Sequence, residues 1–508
     1  MFIRKLKSRN GNTQVQVVEK VKRNNKVVKH LGTARNTFEL KQLTSLAQKH
    51  IDNIRIKQGR ISLFDTRYEE SETQDFLSRL VMLRAYDSLI FHFFYYFYKL
   101  LGFGGLKDDC FTDLVIARLA HPVSKVKTRE WLEDKFGILH KYSLTGLYRT
   151  MERSNKLRYQ KKLEECIWNF TVKRFPADIS VLFFDVTTLY YEAFDEDDFR
   201  KFGYSKDRKE NQPQLVIALT VTARGIPLHV KAFEGNKFEG HTIIPCIQEI
   251  TRKRKTTDFV VVADSAMVSV SNMNELENLG LKFIVGARLA NLPGKLFEEV
   301  IAAVPKTDGS LCRFALEGGR ILVVGYLTRR ANKDRTDRNK AIRRARYALL
   351  NPAVIAKRYK FLKKVGKDKW EFSQANLKKA EKLEGLKGYV TNAKELTNED
   401  IMLKYSALWN VEKSFRISKS DLKARPIFHT VKEKIEAHIS IVFAALAIAR
   451  YAEITTGKSL ERIIYLLEKT KEVIFKDTLS QETFSKYTQA DDSEVQELLK
   501  LANITWVT

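Results

Sequence analysis

Two short apolar runs, each ending on an aspartate, constrain this chain more than any other feature. Ser180-Val181-Leu182-Phe183-Phe184 leads into Asp185, and Phe259-Val260-Val261-Val262-Ala263 leads into Asp264. Runs of this length and composition read as buried strands. Between them the apolar pattern gives a second strand over 214–222, a turn at Ala223-Arg224-Gly225-Ile226-Pro227, a third strand over 228–233 and a helix over about 241–252. A helix over 271–279 and a strand over 282–285 come next.

The order β-β-β-α-β-α-β is that of a ribonuclease H-like α/β fold, a mixed sheet with flanking helices whose first and fourth strands lie side by side at its centre. That adjacency brings Asp185 and Asp264 to neighbouring strand ends although 79 positions separate them. The pattern is interrupted from about 292 to 384 and resumes at Gly388-Tyr389-Val390-Thr391-Asn392. Inside the interruption, short strands over 313–316 and 320–327 precede a basic helical stretch. Residues 329–369 hold sixteen Lys/Arg against three acids, a net +13 out of the chain's +28. A domain inserted into the catalytic fold is expected there, and a long helix over about 398–418 carrying Glu412 beyond it.

The remainder reads as helical, apart from a basic hairpin at the start with Val15, Val17 and Val18 in one strand, a turn at Asn24-Asn25 and Val27-Val28 in the next. Helices are expected over 38–46, 76–100, 111–119, 124–136 and 147–170. The aromatics between Phe91 and Phe97 are assigned to the core. Helix, short turn, helix in a basic protein also permits a DNA-reading motif. The expected division is a basic hairpin and helix (1–66), a helical DNA-binding region (67–175), the catalytic core (176–290 and 385–452) with its basic insertion (291–384), and a helical tail (453–508). A prior of about 150 residues per domain gives a similar number.

A +28 excess points to a polyanionic partner such as nucleic acid. The cysteines Cys110, Cys166, Cys246 and Cys312 form no Cys-x-x-Cys pair, so neither a zinc knuckle nor a disulfide framework is expected. No apolar segment comes after Met1-Phe2-Ile3-Arg4-Lys5, and the apolar stretches 89–98 and 441–449 fall short of the roughly 20 residues that a bilayer needs. The expected setting is cytoplasmic and nucleoid-associated, without a membrane partner.

Three carboxylates, Asp185, Asp264 and Glu412, offer hard oxygen ligands suited to Mg²⁺ or Mn²⁺. Such a set can hold two ions about 4 Å apart, one activating the attacking oxygen and one stabilising the leaving oxygen of a phosphodiester. Tyr405, Glu412 and Lys419 are spaced by seven, which on a continuous helix puts a metal ligand between a phenol and an ammonium on one face. Lys206 and Arg208, in the loop after the first strand, are candidate phosphate contacts. Each residue also has a plainer explanation as a strand-end turn, a cap or a solvated surface.

Tyr405-x2-Leu408-x3-Glu412-x6-Lys419 resembles the Y-(2)-R-(3)-E-(6)-K signature of a branch of bacterial insertion-sequence transposases of the DDE class. Leu408 stands where the signature has arginine, and Arg416 lies on the next turn. Phe184-Asp185-Val186-Thr187-Thr188, Gly203-Tyr204-Ser205-Lys206-Asp207-Arg208, Gly235-Asn236 with Glu239 and Thr242, Val262-Ala263-Asp264-Ser265 and Tyr389-Val390-Thr391-Asn392 are similar to the same family's blocks. Relatives place an aromatic just after the second aspartate to stack a flipped base, whereas Ser265-Ala266-Met267 stands here. The resemblance implies a catalytic triad of Asp185, Asp264 and Glu412, with Tyr405, Lys419, Arg416, Lys206 and Arg208 on DNA. It also implies cleavage at terminal inverted repeats of double-stranded transposon DNA, joining to target DNA with two Mg²⁺ or Mn²⁺ ions, and a homodimer in the DNA complex. Two other readings use the same residues: a ribonuclease H-like endonuclease or junction resolvase that cuts without joining, and a transposon-derived DNA-binding protein without catalysis.

Overall fold

The computed structural model describes all residues except 9, 23, 59–65, 139–140, 193–194, 206–210, 266, 268, 352–358, 366–369, 489–491 and 505–508, and leaves the side chains of 56–57 and 66–72 undescribed. The chain forms two compact units, Met1–Ala85 with Glu472–Thr488, and Tyr86–Lys471 with Gln489–Thr508.

The first unit opens with an antiparallel sheet of β1 (Phe2–Lys7), β2 (Thr13–Val21) and β3 (Asn24–Ala34), one strand more than the expected hairpin. Its turn falls before Asn24, where Lys22 takes a left-handed φ of 54°. Helix α1 (Thr37–Lys57) covers this sheet, and Val15, Val17, Ala47 and Ile51 form the core between them. The helix expected over 76–100 is in fact three elements: the end of α2 (Thr66–Arg79), strand β4 (Leu80–Tyr86), and α3 (Ser88–Leu100), which belongs to the second unit. The run Leu80-Val81-Met82-Leu83 satisfies either period, and pairing with a strand distant in sequence decides it.

In the second unit, α3 is succeeded by α4 (Asp109–Ala120), α5 (Lys125–Phe136), α6 (Leu144–Lys156) and α7 (Tyr159–Arg174). Asp108, Ser124 and Ser143 cap the starts of α4, α5 and α6 by accepting backbone N–H bonds, which fixes each boundary. The single helix expected over 147–170 breaks at Arg158, whose φ is 53°. Phe93, Phe94 and Phe97 are fully buried, as core residues should be.

Beyond these helices the chain builds an eight-stranded mixed sheet. Its strands are β5 (Val181–Tyr190), β6 (Gln214–Val221), β7 (Pro227–Glu234), β8 (Val260–Ala263), β9 (Lys282–Ala287), β10 (Leu311–Ala315), β11 (Ile321–Tyr326) and, later, β14. Helices α8 (Ile243–Arg254), α9 (Val270–Asn278) and α10 (Gly294–Ala303) connect them. The basic segment then contributes α11 (Thr328–Leu350), the small hairpin β12 (Leu362–Lys364) and β13 (Trp370–Phe372), and α12 (Gln374–Lys382) before β14 (Leu386–Thr391). The sheet order is β10-β11-β14-β9-β8-β5-β6-β7, with β8 parallel to both β5 and β9 and the other pairs antiparallel. Strands β10 and β11 thus extend the main sheet, and the stretch from α11 to α12 alone leaves it.

The expected helix over 398–418 is interrupted. It consists of α13 (Asn398–Ser406), a tight turn at Ala407-Leu408, α14 (Trp409–Arg416) and a π turn over Ile417–Asp421. Helix α15 (Lys432–Thr456) is long and apolar enough to cross a bilayer by length and composition, and 94% of its apolar window is buried inside the protein. It packs against α3, α4, α6, α7 and β7, with Tyr451 wedged edge-on to Phe170 at 4.7 Å and Phe97 at 5.6 Å. The tail is α16 (Leu460–Glu468), β15 (Glu472–Asp477), β16 (Thr483–Tyr487) and α17 (Ser493–Leu501). The hairpin β15–β16 pairs with β4 in the first unit, so the tail is not wholly helical.

A buried ion network ties α7 to the sheet and to α8. Glu164, 1% exposed, lies 2.9 Å from His229 Nδ1 and receives Lys253 Nζ at 2.9 Å, while Glu249 receives Lys253 at 2.7 Å and Lys231 at 3.1 Å. Burial by itself raises the Glu249 pKa, but Lys253, His229 and Lys231 outweigh it and bring it from 4.5 to about 2. A folded-state pKa below the unfolded one stabilises fully above the unfolded value and loses that stabilisation as pH falls towards 2. Allowing for solvent screening, about 1–2 kcal/mol should disappear over that window. Denaturant midpoints at pH 7 and pH 3 should therefore differ less for Glu249→Gln than for the unaltered protein.

Candidate active site in a basic cleft

The register of the sheet lines up one row of residues on one face. β5 and β8 pair from Val181↔Val260 to Phe184↔Ala263, and β8 and β9 end at Ala263↔Val285. One further step sets Asp185, Asp264 and Gly286 beside one another on adjacent strands, about 5 Å apart. β14 adds Tyr389 opposite Gly286, while β6 and β7 add Leu219 opposite Asp185 and Val230 opposite Leu219. Asp185 is not a strand end, because β5 continues to Tyr190 along β6. It stands where pairing with β8 stops, and the β-branched Val186-Thr187-Thr188 keep the strand going.

Gly286 leaves a gap in this row, and Tyr405 fills it. A Cβ at Gly286 would lie 2.6 Å from the Tyr405 hydroxyl, which donates to Asp264 Oδ1 at 3.1 Å. Asp264 Oδ1 also accepts the Ser265 backbone N–H at 2.7 Å. Burial, and after it the negative charge of Asp264, raises the Tyr405 pKa, so the phenol remains a donor. Its ring packs on Tyr389 at 4.9 Å, and the Lys387 ammonium sits over it at 4.5 Å. Burial and the nearby Arg330 lower the Lys387 pKa, with Asp264 and Glu412 opposing.

Helix α14 is fixed from behind. Asn410 Nδ2 donates to the Ala223 carbonyl at 2.7 Å and Ser414 Oγ to the Gly225 carbonyl at 3.1 Å, which pins one face of α14 to the turn between β6 and β7. From α15, the buried Arg450 reaches the same turn, donating to the Arg224 carbonyl at 2.5 Å, and pairs with Glu453 at 2.6 Å. Gly225 makes room for it: its φ is 79°, and a Cβ there would lie 2.6 Å from the guanidinium. Glu412, two residues from each anchor, is turned about 200° away and stands exposed with Arg416 one turn on.

Asp264, Tyr405 and Glu412 open on a cleft of about 1070 Å³. Arg288, Arg330, Arg338, Lys360, Lys379 and Lys387 line it together with Leu408 and Trp409, so α11 and α12 of the basic segment form its far wall. Asp185 is not on the cleft lining, although it stands next to Asp264 in the row. Lys419 is displaced from the face that heptad spacing predicts. The π turn, closed by Leu422 N–H donating to the Ile417 carbonyl at 2.9 Å, adds a residue to the helical turn and rotates the residues beyond it. Lys419 instead lines a small apolar cavity of about 40 Å³ with Thr187, Leu219 and Val230, on the same face of the sheet as Asp185. Arg416 is not among the cleft residues, and Lys206 and Arg208 lie outside the described residues.

Among the described residues, no group of three or more His, Cys, Asp or Glu side chains is close enough to hold a metal ion. The donors are oxygen only, with Asp264 and Glu412 opening on a polar cleft and Asp185 beside Asp264 in the row, and their chemistry suits a hard divalent cation. Sequence reasoning missed Lys387, Arg330 and Gly286. Lys387 immediately precedes the Gly388-Tyr389-Val390-Thr391 block, but its place in the cleft depends on β14 inserting between β9 and β11, a pairing that local pattern does not carry.

Gly286→Ala is expected to lower the unfolding midpoint by the equivalent of about 1–3 kcal/mol, the usual cost of overpacking. Combined with Tyr405→Phe, whose ring lacks the obstructed hydroxyl, the added cost of Gly286→Ala should shrink. Thermal denaturation of the two single variants and the double variant measures that coupling.

Residues 176–448 match the family model described as a Transposase DDE domain. No curated protein matches the chain. Among solved structures, the cryo-EM structure of a piggyBac transposase synaptic complex with hairpin DNA is similar at 11% identity and a TM-score of 0.36, over 70% of this chain and 68% of that one. Because the family match spans more than half of the 508 residues and contains Asp185, Asp264, Tyr405 and Glu412, the chain belongs to the DDE transposase domain family.

Proposed function

We propose that this protein is a DNA transposase of the insertion-sequence type that binds transposon ends, cuts them and joins the freed 3′-OH to target DNA. The observation that carries this reading is the meeting of Asp264 and Glu412 on one basic cleft, within the span that matches the family. The core is read as ribonuclease H-like. The adjacency of β5 and β8 supports that, as does the excursion of the basic stretch from α11 to α12 between two sheet strands.

Asp185, Asp264 and Glu412 are the residues that would hold divalent metal. Two Mg²⁺ or Mn²⁺ ions bound there would supply an activated oxygen nucleophile and charge stabilisation for the leaving oxygen. The protein's own groups do the remaining work. Tyr405 donates to one oxygen of Asp264 and so fixes the orientation of a carboxylate that lines the cleft. The anchors of α14 at Ala223 and Gly225 hold Glu412 towards the same space. Arg288, Lys360 and Lys379 give the DNA backbone a positive channel wall, and Trp409, 56% exposed, adds an apolar face at its edge. Lys419 and Arg416, which do not line this cleft, and Lys206 and Arg208 are assigned to further DNA contacts, and the active form is read as a homodimer holding both ends. Hydrolysis by a resolvase-like enzyme needs no such wall, which places the joining reaction ahead of that alternative.

The test is a cleavage and strand-transfer assay with Mg²⁺ on DNA carrying the native flanking ends, comparing the unaltered protein with Glu412→Gln. The expected outcome is end-specific 3′-OH products and joined target for the former, and end binding without either reaction for the latter, with a rate loss of at least about 100-fold. Cleavage by the variant at the original rate removes Glu412 from the site. Binding without cleavage by either protein favours a silent DNA-binding protein.

A further inference from the structure

We infer that Lys387 and Arg330 form a seat for one backbone phosphate of the DNA strand in the cleft, next to the phosphate being cut. The inference rests on the cleft being a DNA-cleaving site and adds to that reading two residues and a role.

Lys387 stands on β14 where the chain returns from the basic segment, and Arg330 in the first turn of α11 where the chain leaves for it. Arg330 Nε donates to the Leu386 carbonyl at 3.1 Å, so the two cations are held close by adjoining backbone. The half-buried Lys387 ammonium has no carboxylate partner among the described residues. It rests only on the faces of Tyr405 at 4.5 Å and Tyr389 at 5.7 Å. Among the described residues, the only carboxylate of Arg330 is Asp334, at a long 3.5 Å. Two other cations of this wall are differently placed: Arg338 is engaged by Glu381 at 2.5 Å and Glu384 at 3.0 Å, and Lys379 lies over the Phe297 ring at 5.0 Å.

Two neighbouring cations, one of them half-buried and without a carboxylate partner among the described residues, repel each other in the free protein. A phosphodiester monoanion between them removes that repulsion and accepts charge-assisted hydrogen bonds from both. Asp264 and Glu412 share the cleft, and their own negative charge keeps an unmetallated phosphate at a distance. The seat is therefore offset from the reacting bond and takes an adjacent phosphate, which sets the strand's register over the carboxylates.

The experiment uses the full-length protein and duplex DNA carrying the native ends, with one neutral methylphosphonate placed in turn at each of the phosphates flanking the cut. The unaltered protein should lose about 10- to 100-fold in cleavage rate at one position, the range expected for one charged hydrogen-bonding partner. Lys387→Met should lose a similar factor on all-phosphate DNA and nothing further at that position, and Lys387→Arg should recover most of the rate. Binding measured against salt should show a slope smaller by about one for Lys387→Met. Cleavage by Lys387→Met at the original rate, or an undiminished methylphosphonate effect in it, overturns the seat while leaving the transposase reading intact. If the unaltered protein binds but does not cut, the transposase reading fails and the salt slope alone decides the seat: a fall of one supports it and no change overturns it. Absence of DNA binding overturns both.

Discussion

Everything in the candidate site depends on the parallel register between β5 and β8. That pairing is made of Val181, Leu182, Phe183 and Phe184 against Val260, Val261, Val262 and Ala263, all buried. A slip by one residue would turn Asp185 and Asp264 to opposite faces of the sheet, because side chains alternate with a period of two. Burial on both sides makes such a slip costly, so the apolar strands act as the ruler that aligns two carboxylates far apart in sequence. The row they begin changes character along its length: Gly286 and Asp264 line the polar cleft, with the buried Tyr389 beside them, whereas Leu219 and Val230 close an apolar cavity. Asp185 stands on the boundary.

The helices laid over this row supply what the sheet cannot. A continuous helix from α13 through the π turn would present Tyr405, Glu412 and Lys419 in a single line. The turn at Ala407-Leu408 and the π turn at Ile417–Asp421 divide that line, giving two of the three to the cleft and the third to the far side of Asp185. The turn between β6 and β7 is the common support. It holds α14 through Asn410 and Ser414 and α15 through Arg450, so the long core helix and the short site helix are referenced to the carbonyls of one turn, Ala223, Arg224 and Gly225.

Much of the core was legible because its signals are local. The strands around Asp185 and Asp264 and the meander between them arise from apolar run length and turn residues. The misread strands share one cause. Leu80-Val81-Met82-Leu83 became a strand and the tail gained a hairpin through pairing with each other across almost four hundred residues. β1 was missed for a related reason, since Phe2-Ile3-Arg4-Lys5-Leu6-Lys7 has too little alternation to declare itself without β2. Within the site, the two carboxylates of the cleft and Tyr405 could be found by spacing, whereas Gly286 and Lys387 could not. Their roles exist only once four strands are in register.

Strands β11 and β14 are antiparallel neighbours, with Tyr326 opposite Leu386 at their shared end. In topological terms, all of α11, β12, β13 and α12 is therefore the loop of a hairpin, leaving the sheet and re-entering it about one strand spacing away. Loop closure entropy grows only slowly with length, so the sheet's register is nearly indifferent to how much chain hangs between those two points. A far wall built this way can be lengthened, shortened or exchanged over evolution without disturbing the row of residues it faces. The far wall of the cleft is thereby mechanically decoupled from the row of residues that it faces.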